Sequence, residues 1–170
     1  YNFSGELGDG TTDISNVPVS VTGIIDAIGI TAGGAHSCAL ISDGTVYCWG
    51  SNWAGQLGDG TTLNSSLPVP VANITTAIAV IASWQYTCAL LSGGTIQCWG
   101  ENSFGQLGDG TTNFSSTPVA VSDITSATSV SPGPNHTCAL LADGTIKCWG
   151  NNDSGQLGNG TAYNSSSVPV

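Results

Sequence analysis

Residues 36–50 read HSCALISDGTVYCWG, and the same pattern returns as YTCALLSGGTIQCWG at 86–100 and as HTCALLADGTIKCWG at 136–150. A second block, GELGDGTT at 5–12, returns at 55–62, 105–112 and 155–162, and its last copy has Asn159 where the others have Asp. Self-similarity at a fixed spacing of 50 residues is typical of propellers, solenoids and repeat arrays. Nearly the whole chain is therefore repetitive.

Each period contains four short apolar segments separated by turn residues, which predicts four β-strands. In the first period these strands are expected near 18–21, 26–31, 36–41 and 45–49. Ser42-Asp43-Gly44 fits a three-residue hairpin loop that ends on glycine in the left-handed conformation. This register places Cys38 opposite Cys48 in a non-hydrogen-bonded pair, where the Cα atoms lie about 4.5 Å apart, within reach of a disulfide.

The six cysteines therefore predict three hairpin disulfides, namely Cys38–Cys48, Cys88–Cys98 and Cys138–Cys148. Each would close a loop of about 11 residues and contribute roughly 2.8 kcal/mol by the chain-entropy argument. A zinc site is the alternative, but thiolate zinc sites usually place their cysteines about two to four residues apart. Disulfides in turn predict an oxidising compartment, so an extracellular or cell-surface location is expected.

Charge and hydropathy exclude several classes of function. Lys+Arg number 1 against Asp+Glu 11, for a net charge of -10, so the chain has almost no cations with which to bind nucleic acid or anionic lipid. No apolar run approaches the roughly 18 residues that span a bilayer, so membrane insertion is not expected. The absence of a first methionine and of a basic-then-apolar leader predicts a processed chain or a fragment.

The run of Cys-Ala-Leu, Asp-Gly-Thr and Cys-Trp-Gly, followed by Gly-Gln-Leu-Gly-Asp-Gly and Pro-Val, resembles the repeats of the regulator of chromosome condensation family, especially the bacterial and secreted versions. The resemblance covers essentially the whole chain and implies an all-β, β-propeller-type array of four-stranded antiparallel blades. The founding member is a nucleotide exchange factor that docks on chromatin through basic residues, which this chain lacks. Secreted relatives that inhibit β-lactamases imply a scaffold that acts by binding alone.

The repeats divide the chain into three full blades with partial ends. The expected bounds are an inter-blade loop at 1–17, blades at 18–49, 68–99 and 118–149, and a loop with an orphan strand at 151–170. Closed propellers typically have about four to eight blades, and closure removes the sheet edges that otherwise template association. Three blades therefore predict either a piece of a larger propeller or self-association through the chain ends, and head-to-tail contacts of this kind build filaments unless the rotation closes.

Eight asparagines begin Asn-x-Ser/Thr triplets and are candidate N-glycosylation sites. They are Asn2, Asn64, Asn73, Asn113, Asn135, Asn152, Asn159 and Asn164. Crowding of Asn, Ser and Thr into turns is the alternative explanation. Because Asn64, Asn113 and Asn164 recur in the same loop, glycans there would form a periodic stripe.

No catalytic cluster is evident, and the chain is expected not to be an enzyme. His36 and His136 occupy the same repeat position as Tyr86, which favours structural packing over a general base. Glu6, Gln56, Gln106 and Gln156 are expected to tie one blade to the next by hydrogen bonds. Asp9, Asp59 and Asp109 lie in acidic turns that can hold calcium, but carboxylates accepting backbone amides explain these turns better, so no cofactor is expected.

The aromatic residues fall into two groups. Trp49, Trp99 and Trp149 follow the second cysteine of every repeat and are expected to fill the space between sheets. Others break the repeat, and the candidate interface residues among them are Trp53, Trp84, Phe104 and Tyr163. Because Trp53 aligns with Phe3 and Phe104 within about one position, a loosely repeated packing site is the alternative. The sequence thus favours an extracellular structural protein, a glycosylated fibre or filament subunit built by end-to-end packing. The alternative is a protein-binding module of a larger secreted propeller.

Overall fold

A computed structural model describes residues 1–170, which form eleven β-strands. No segment folds into a helix long and apolar enough to cross a membrane. In chain order the strands are β1 (Ala27–Ala32), β2 (His36–Ile41), β3 (Val46–Gly50), β4 (Ser65–Pro70), β5 (Ala77–Ala82), β6 (Tyr86–Leu91), β7 (Ile96–Gly100), β8 (Ser115–Ala120), β9 (Ala127–Pro132), β10 (His136–Leu141) and β11 (Ile146–Gly150).

The hairpin formed by β2 and β3 has the predicted register. Ile41 donates its backbone N–H to the carbonyl of Thr45 at 2.9 Å, and Gly44 takes the left-handed conformation with φ 85°. Cys38 pairs with Cys48 across the ladder, and their sulfurs are bonded. The same pairing recurs in the other two repeats, with Cα–Cα separations of 4.0, 4.1 and 4.1 Å. The three predicted disulfides are confirmed, and no free cysteine remains.

The strands form three antiparallel sheets, as the all-β prediction requires. The first sheet has the order β1-β2-β3-β4 and the second has the order β5-β6-β7-β8. The third sheet contains β9, β10 and β11. The end of the chain extends it, because Gly150 pairs with Ser166 and the N–H of Val170 donates to the carbonyl of Cys148 at 3.0 Å.

The sheets are offset from the predicted blade bounds of 18–49, 68–99 and 118–149. Each sheet takes its last strand from the segment that follows its repeat loop, so the first two sheets span 27–70 and 77–120. The terminal segment within 151–170, which was expected to be an unpaired strand, is therefore paired, since Ser166 and Val170 bond to the edge of the third sheet. The strand expected at 18–21 does not form.

A missing neighbour explains the irregular segment at 18–21. The equivalent strand β4 pairs with β3 and lies at the edge of its sheet, where Pro68 and Pro70 cost no ladder hydrogen bond. Residues 15–20 have the same Ser, Pro and Val pattern, but no third strand lies beside them to accept their hydrogen bonds. The same local sequence is therefore a strand only where a sheet edge is available.

The apolar core lies between neighbouring sheets. One cluster packs Leu40 and Val46 of the first sheet against Val71, Ile74 and Val80, which lead into and form the second sheet. A second cluster repeats this arrangement between the second and third sheets, with Leu90 and Ile96 in the equivalent positions. The second sheet thus presents one face to the first sheet and the other face to the third.

Candidate functional site

The repeated Gly-Gln-Leu-Gly loops add polar contacts between neighbouring sheets to the apolar ones. We define the repeat loops as residues 1–14, 51–64, 101–114 and 151–164. The carbonyl of Gln56 accepts hydrogen bonds from Trp99 Nε1 at 2.9 Å and from the Thr87 hydroxyl at 3.1 Å, both on the second sheet. Gly58 packs directly against the Trp99 ring and leaves no room for a side chain, since a Cβ there would be 2.7 Å from Nε1. A loop from one repeat therefore covers the tryptophan of the next.

The same contact occurs at both neighbouring sheets. Trp49 Nε1 donates to the carbonyl of Glu6, and Trp149 Nε1 donates to the carbonyl of Gln106, each at 2.9 Å. The side chains at this loop position make local bonds instead, as Gln56 Oε1 accepts the N–H of Ala54 at 3.0 Å. The expected tie between blades is thus made by the main chain, which explains why Glu and Gln interchange here.

Buried asparagines and exposed aspartates hold each repeat loop in shape. Asn52 is fully buried and its Oδ1 accepts the N–H of Leu57 at 2.9 Å. Asp9 Oδ1 accepts both the N–H and the hydroxyl of Thr11 at 2.9 Å, and these bonds hold the pKa of the Asp9 carboxyl below its ordinary value. The acidic residues therefore close turns, and no group of three or more His, Cys, Asp or Glu side chains lies close enough to hold a metal ion.

Polar residues at the start of β2 and β6 link adjacent sheets. His36 Nε2 lies 2.8 Å from the Thr87 hydroxyl on the second sheet. Tyr86, in the equivalent position, donates its hydroxyl to the carbonyl of His136 at 2.7 Å on the third sheet. Both side chains are buried, and burial raises the pKa of the Tyr86 phenol. These contacts match the structural packing expected for this position.

The burial of His36 makes stability depend on pH. Burial lowers its pKa to about 4, whereas a histidine in the unfolded chain titrates near 6.5. Between these values only the unfolded state binds the proton, so acidification from pH 6.5 to 4 should remove up to about 3 kcal/mol of folding free energy. Urea unfolding at several pH values measures this loss. His36→Tyr, which copies the residue at position 86, should flatten the profile in that window, and an unchanged profile would contradict the assignment.

The third sheet leaves one of its faces open. Ile146 is 67% exposed, whereas the equivalent Val46 and Ile96 are 1% and 0% exposed because the following sheet covers them. A cleft of about 170 Å³ lies on this face. Its lining residues are Ser129, Ser131, Cys138, Ala139, Leu140 and Ile146. We call this surface the open face of the third sheet.

The opposite end of the array exposes the complementary side of a sheet. Ile30 is 69% exposed, whereas its equivalents Val80 and Val130 are buried against the preceding sheet. A cleft of about 240 Å³ beside Ile24, Ile41 and Tyr47 lies at this end. Sequence analysis did not single out these apolar residues, although aligning the repeats and asking which copies lack a covering sheet would have identified them.

The candidate interface aromatics lie in different places. Trp53 and Trp84 are 59% and 61% exposed and line one cavity of about 190 Å³ between the first and second sheets, together with Gln56 and Gln85. Phe104 is only partly exposed and Tyr163 is fully at the surface, and neither lines this cavity. The structure therefore brings two of the four candidates together.

The eight sequons differ in accessibility. Asn2 and Asn152 are fully buried, and each accepts a backbone N–H in its own repeat loop, from Leu7 and Leu157 respectively. A glycan is attached at Nδ2, and in the folded chain it would disrupt the hydrogen bonds that the Nδ2 atoms of Asn2 and Asn152 donate to the carbonyls of Thr11 and Thr161 respectively. The other six are exposed, namely Asn64, Asn73, Asn113, Asn135, Asn159 and Asn164. The glycosylation hypothesis therefore rests on these six.

Comparison with known proteins identifies the repeat. Two profiles of the regulator of chromosome condensation (RCC1) repeat match the chain, one at residues 27–56, 77–106 and 127–156, the other at 43–90, 94–140 and 143–170. A search of curated protein sequences gives no match.

Solved structures with the same fold include human WBSCR16, which is 24% identical with a TM-score of 0.83 over 99% of this chain and 45% of that chain. Prp20p from Saccharomyces cerevisiae is 20% identical with a TM-score of 0.78 over 87% of this chain and 38% of its own. The chain spans less than half the length of either protein. With repeat profiles matching most of its residues, the chain belongs to the regulator of chromosome condensation (RCC1) repeat family.

Proposed function

We propose that this chain is a non-enzymatic extracellular assembly protein, whose sheets pack end to end with those of another copy to build a fibre or filament. The observation that carries the proposal is the open face of the third sheet. Leu140 and Ile146 are exposed at the two positions that the first and second sheets bury against their neighbours. The chain thus presents a surface already shaped to receive one more sheet of its own kind.

The family precedent is compatible with a protein-binding role. The structure of Prp20p is described together with its binding to Gsp1p and histones, so an RCC1-repeat propeller can act by contacting other proteins. This chain carries a net charge of -10, which disfavours nucleic acid and means that two copies can meet only through surfaces free of charge. An uncharged, apolar sheet face is the kind of contact surface that a chain with so few charged residues favours.

Disulfides and sequons support the extracellular location. Three disulfides persist most readily in an oxidising compartment. Asn64, Asn113 and Asn164 are exposed at corresponding places in successive repeat loops, so glycans attached there would line one side of the assembly. Neither the sheet faces nor the clefts at the two ends include these three residues.

Sedimentation velocity over a concentration series tests the proposal. Association that increases up to about 1 mM is expected, measured at an ionic strength near 0.3 M so that repulsion between the acidic copies is screened. Ile146→Asp should abolish it, whereas Trp53→Ala should leave it unchanged. Electron microscopy of the associated material then distinguishes filaments from closed rings. A chain that stays monomeric throughout, or that associates equally well with Asp at 146, would rule out end-to-end packing.

The cavity between Trp53 and Trp84 favours a second candidate function, a binding module of a larger propeller. Trp53 and Trp84 are exposed on the walls of this cavity and can bury an apolar side chain of a partner between them. In that case Trp53→Ala and Trp84→Ala would weaken partner binding, and Ile146→Asp would not.

A further inference from the structure

The structure contains four repeat loops but only three sheets for them to cover. The loops at 1–14, 51–64 and 101–114 each lie on the tryptophan of a sheet, through Glu6, Gln56 and Gln106 respectively. The fourth, at 151–164, has no sheet beneath it. A Cβ on Gly8, Gly58 or Gly108 would touch a tryptophan ring at 2.7, 2.7 or 2.6 Å, whereas one on Gly158 would meet nothing within 4 Å.

The uncovered loop nevertheless has the conformation of the other three. Asn152 Oδ1 accepts the N–H of Leu157 at 3.0 Å, as Asn52 does for Leu57 and Asn2 does for Leu7. Gly158 has φ 67°, close to the 71° of Gly8 and Gly58. The backbone carbonyl of Gln156 is therefore held in a loop of the shape that binds a tryptophan and a hydroxyl elsewhere in the chain.

We propose that the surface of the first sheet beneath residues 1–14 is the docking site for residues 151–164 of a second copy, and that residues 1–14 compete with it. The inference rests on the proposed end-to-end function and names the two surfaces that meet. In the docked pair the Gln156 carbonyl of one copy accepts hydrogen bonds from Trp49 and Ser37 of the other. These are the bonds that Glu6 now accepts, at 2.9 and 3.2 Å.

The remaining surfaces also correspond to interfaces inside the chain. Leu140 and Ile146 of one copy would pack against Ile24 and Ile30 of the other, as Leu40 and Val46 pack against Ile74 and Val80. His136 Nε2 would face the Ser37 hydroxyl of the second copy, as His36 faces Thr87. Each contact of the docked pair thus has a counterpart already formed between the first and second sheets.

Competition follows because the two segments need the same space. Residues 1–12 and 151–162 are equivalent copies of one repeat block, so only one of them can cover Trp49. The intramolecular segment has the advantage, since a short tether gives an effective concentration in the millimolar range. Residues 1–14 therefore cover Trp49 in most copies of this chain, and docking of residues 151–164 requires that residues 1–14 leave Trp49.

Glycine substitutions in the intact chain test the exchange. Gly8→Val removes residues 1–14 from Trp49 by a clash and should lower the concentration for half-maximal association in sedimentation velocity at least about tenfold, given millimolar tethering. The double variant Gly8→Val/Gly158→Val should return to the monomer, because its incoming loop meets the same clash. Gly8→Val/Gly160→Val is the matched control, because Gly158 and Gly160 both have positive φ, but a Cβ on Gly10, the equivalent of Gly160 on the first sheet, would meet only the flexible end of Leu67, at 3.3 Å. This variant should associate like Gly8→Val.

A second pair of variants avoids added bulk. Asn2→Ala loosens the first repeat loop and should promote association, whereas Asn152→Ala loosens the fourth loop and should oppose it. Retained disulfides and the near-ultraviolet tryptophan signal of the core establish folding.

Equal association of the wild type, Gly8→Val and Asn2→Ala, all blocked by Ile146→Asp, would overturn the competition but keep end-to-end packing. Association of Gly8→Val that survives Gly158→Val would overturn the proposed docking site, and no association in any variant would overturn both.

Discussion

Replacing Trp99 by alanine is expected to lower the free energy of unfolding by about 3 to 5 kcal/mol, the usual cost of removing a large buried aromatic side chain. Trp99 is fully buried between the first and second sheets, in the cluster that contains Leu40, Val46 and Leu57. Its Nε1 also donates to the carbonyl of Gln56, so the truncation removes a hydrogen bond as well as apolar packing. Urea unfolding monitored by circular dichroism measures the loss.

Trp53→Ala is the matched control for this substitution. Trp53 is the same residue type in the same region of the interface, but more than half of its surface is exposed. Its truncation should change the free energy of unfolding by less than about 0.5 kcal/mol. Equal effects of the two substitutions would mean that the tryptophans after the second cysteine do not hold the sheets together.

Most of the local structure was predictable because the repeat constrains it. The spacing of Cys38 and Cys48 around a glycine-containing turn determines the hairpin register, and the observed pairing follows from it. The second and third strands of the first sheet are therefore predicted within one residue of their observed bounds. The burial of Trp49, Trp99 and Trp149 was likewise foreseen from their repetition.

The grouping of strands into sheets was not predictable in the same way. Residues 15–20 and β4 have similar local sequences, and only the presence of a third strand beside them decides which one is a strand. A strand's hydrogen-bond partners come from elsewhere in the chain, and local periodicity does not show which strand they belong to. The segment at 68–70 was therefore assigned to the following blade. It belongs instead to the sheet before it.

The candidate site shows the same dependence on neighbours. Leu40, Leu90 and Leu140 have the same place in the repeat, yet only the last is exposed. A sequence pattern describes what a position would bury, whereas the order of sheets decides whether that burial happens. The aromatic residues that break the repeat attracted attention for their irregularity, but the open face consists of residues that follow the repeat.

Ile96→Asp and Ile146→Asp place the same charge at the same repeat position, and their effects on stability should differ greatly. Ile96 is fully buried in the cluster between the second and third sheets, so its replacement puts an unpaired carboxylate into an apolar interior. Lys147 is the only cationic side chain besides the two histidines, and it lies on the third sheet opposite Ala139. A loss of more than about 4 kcal/mol in the free energy of unfolding is expected for Ile96→Asp.

Ile146→Asp should change the free energy of unfolding by less than about 0.5 kcal/mol, because the new carboxylate stays in water on the open face. Chemical denaturation of the dilute monomer measures both variants under conditions where no second copy covers that face. A large loss for Ile146→Asp would show that position 146 is buried in the monomer and would contradict the open face. Retained stability together with lost self-association would mean that the isoleucine at position 96 belongs to the core, whereas the isoleucine at position 146 belongs to an interface between copies. The two positions would then differ only in whether a following sheet of the same chain covers them.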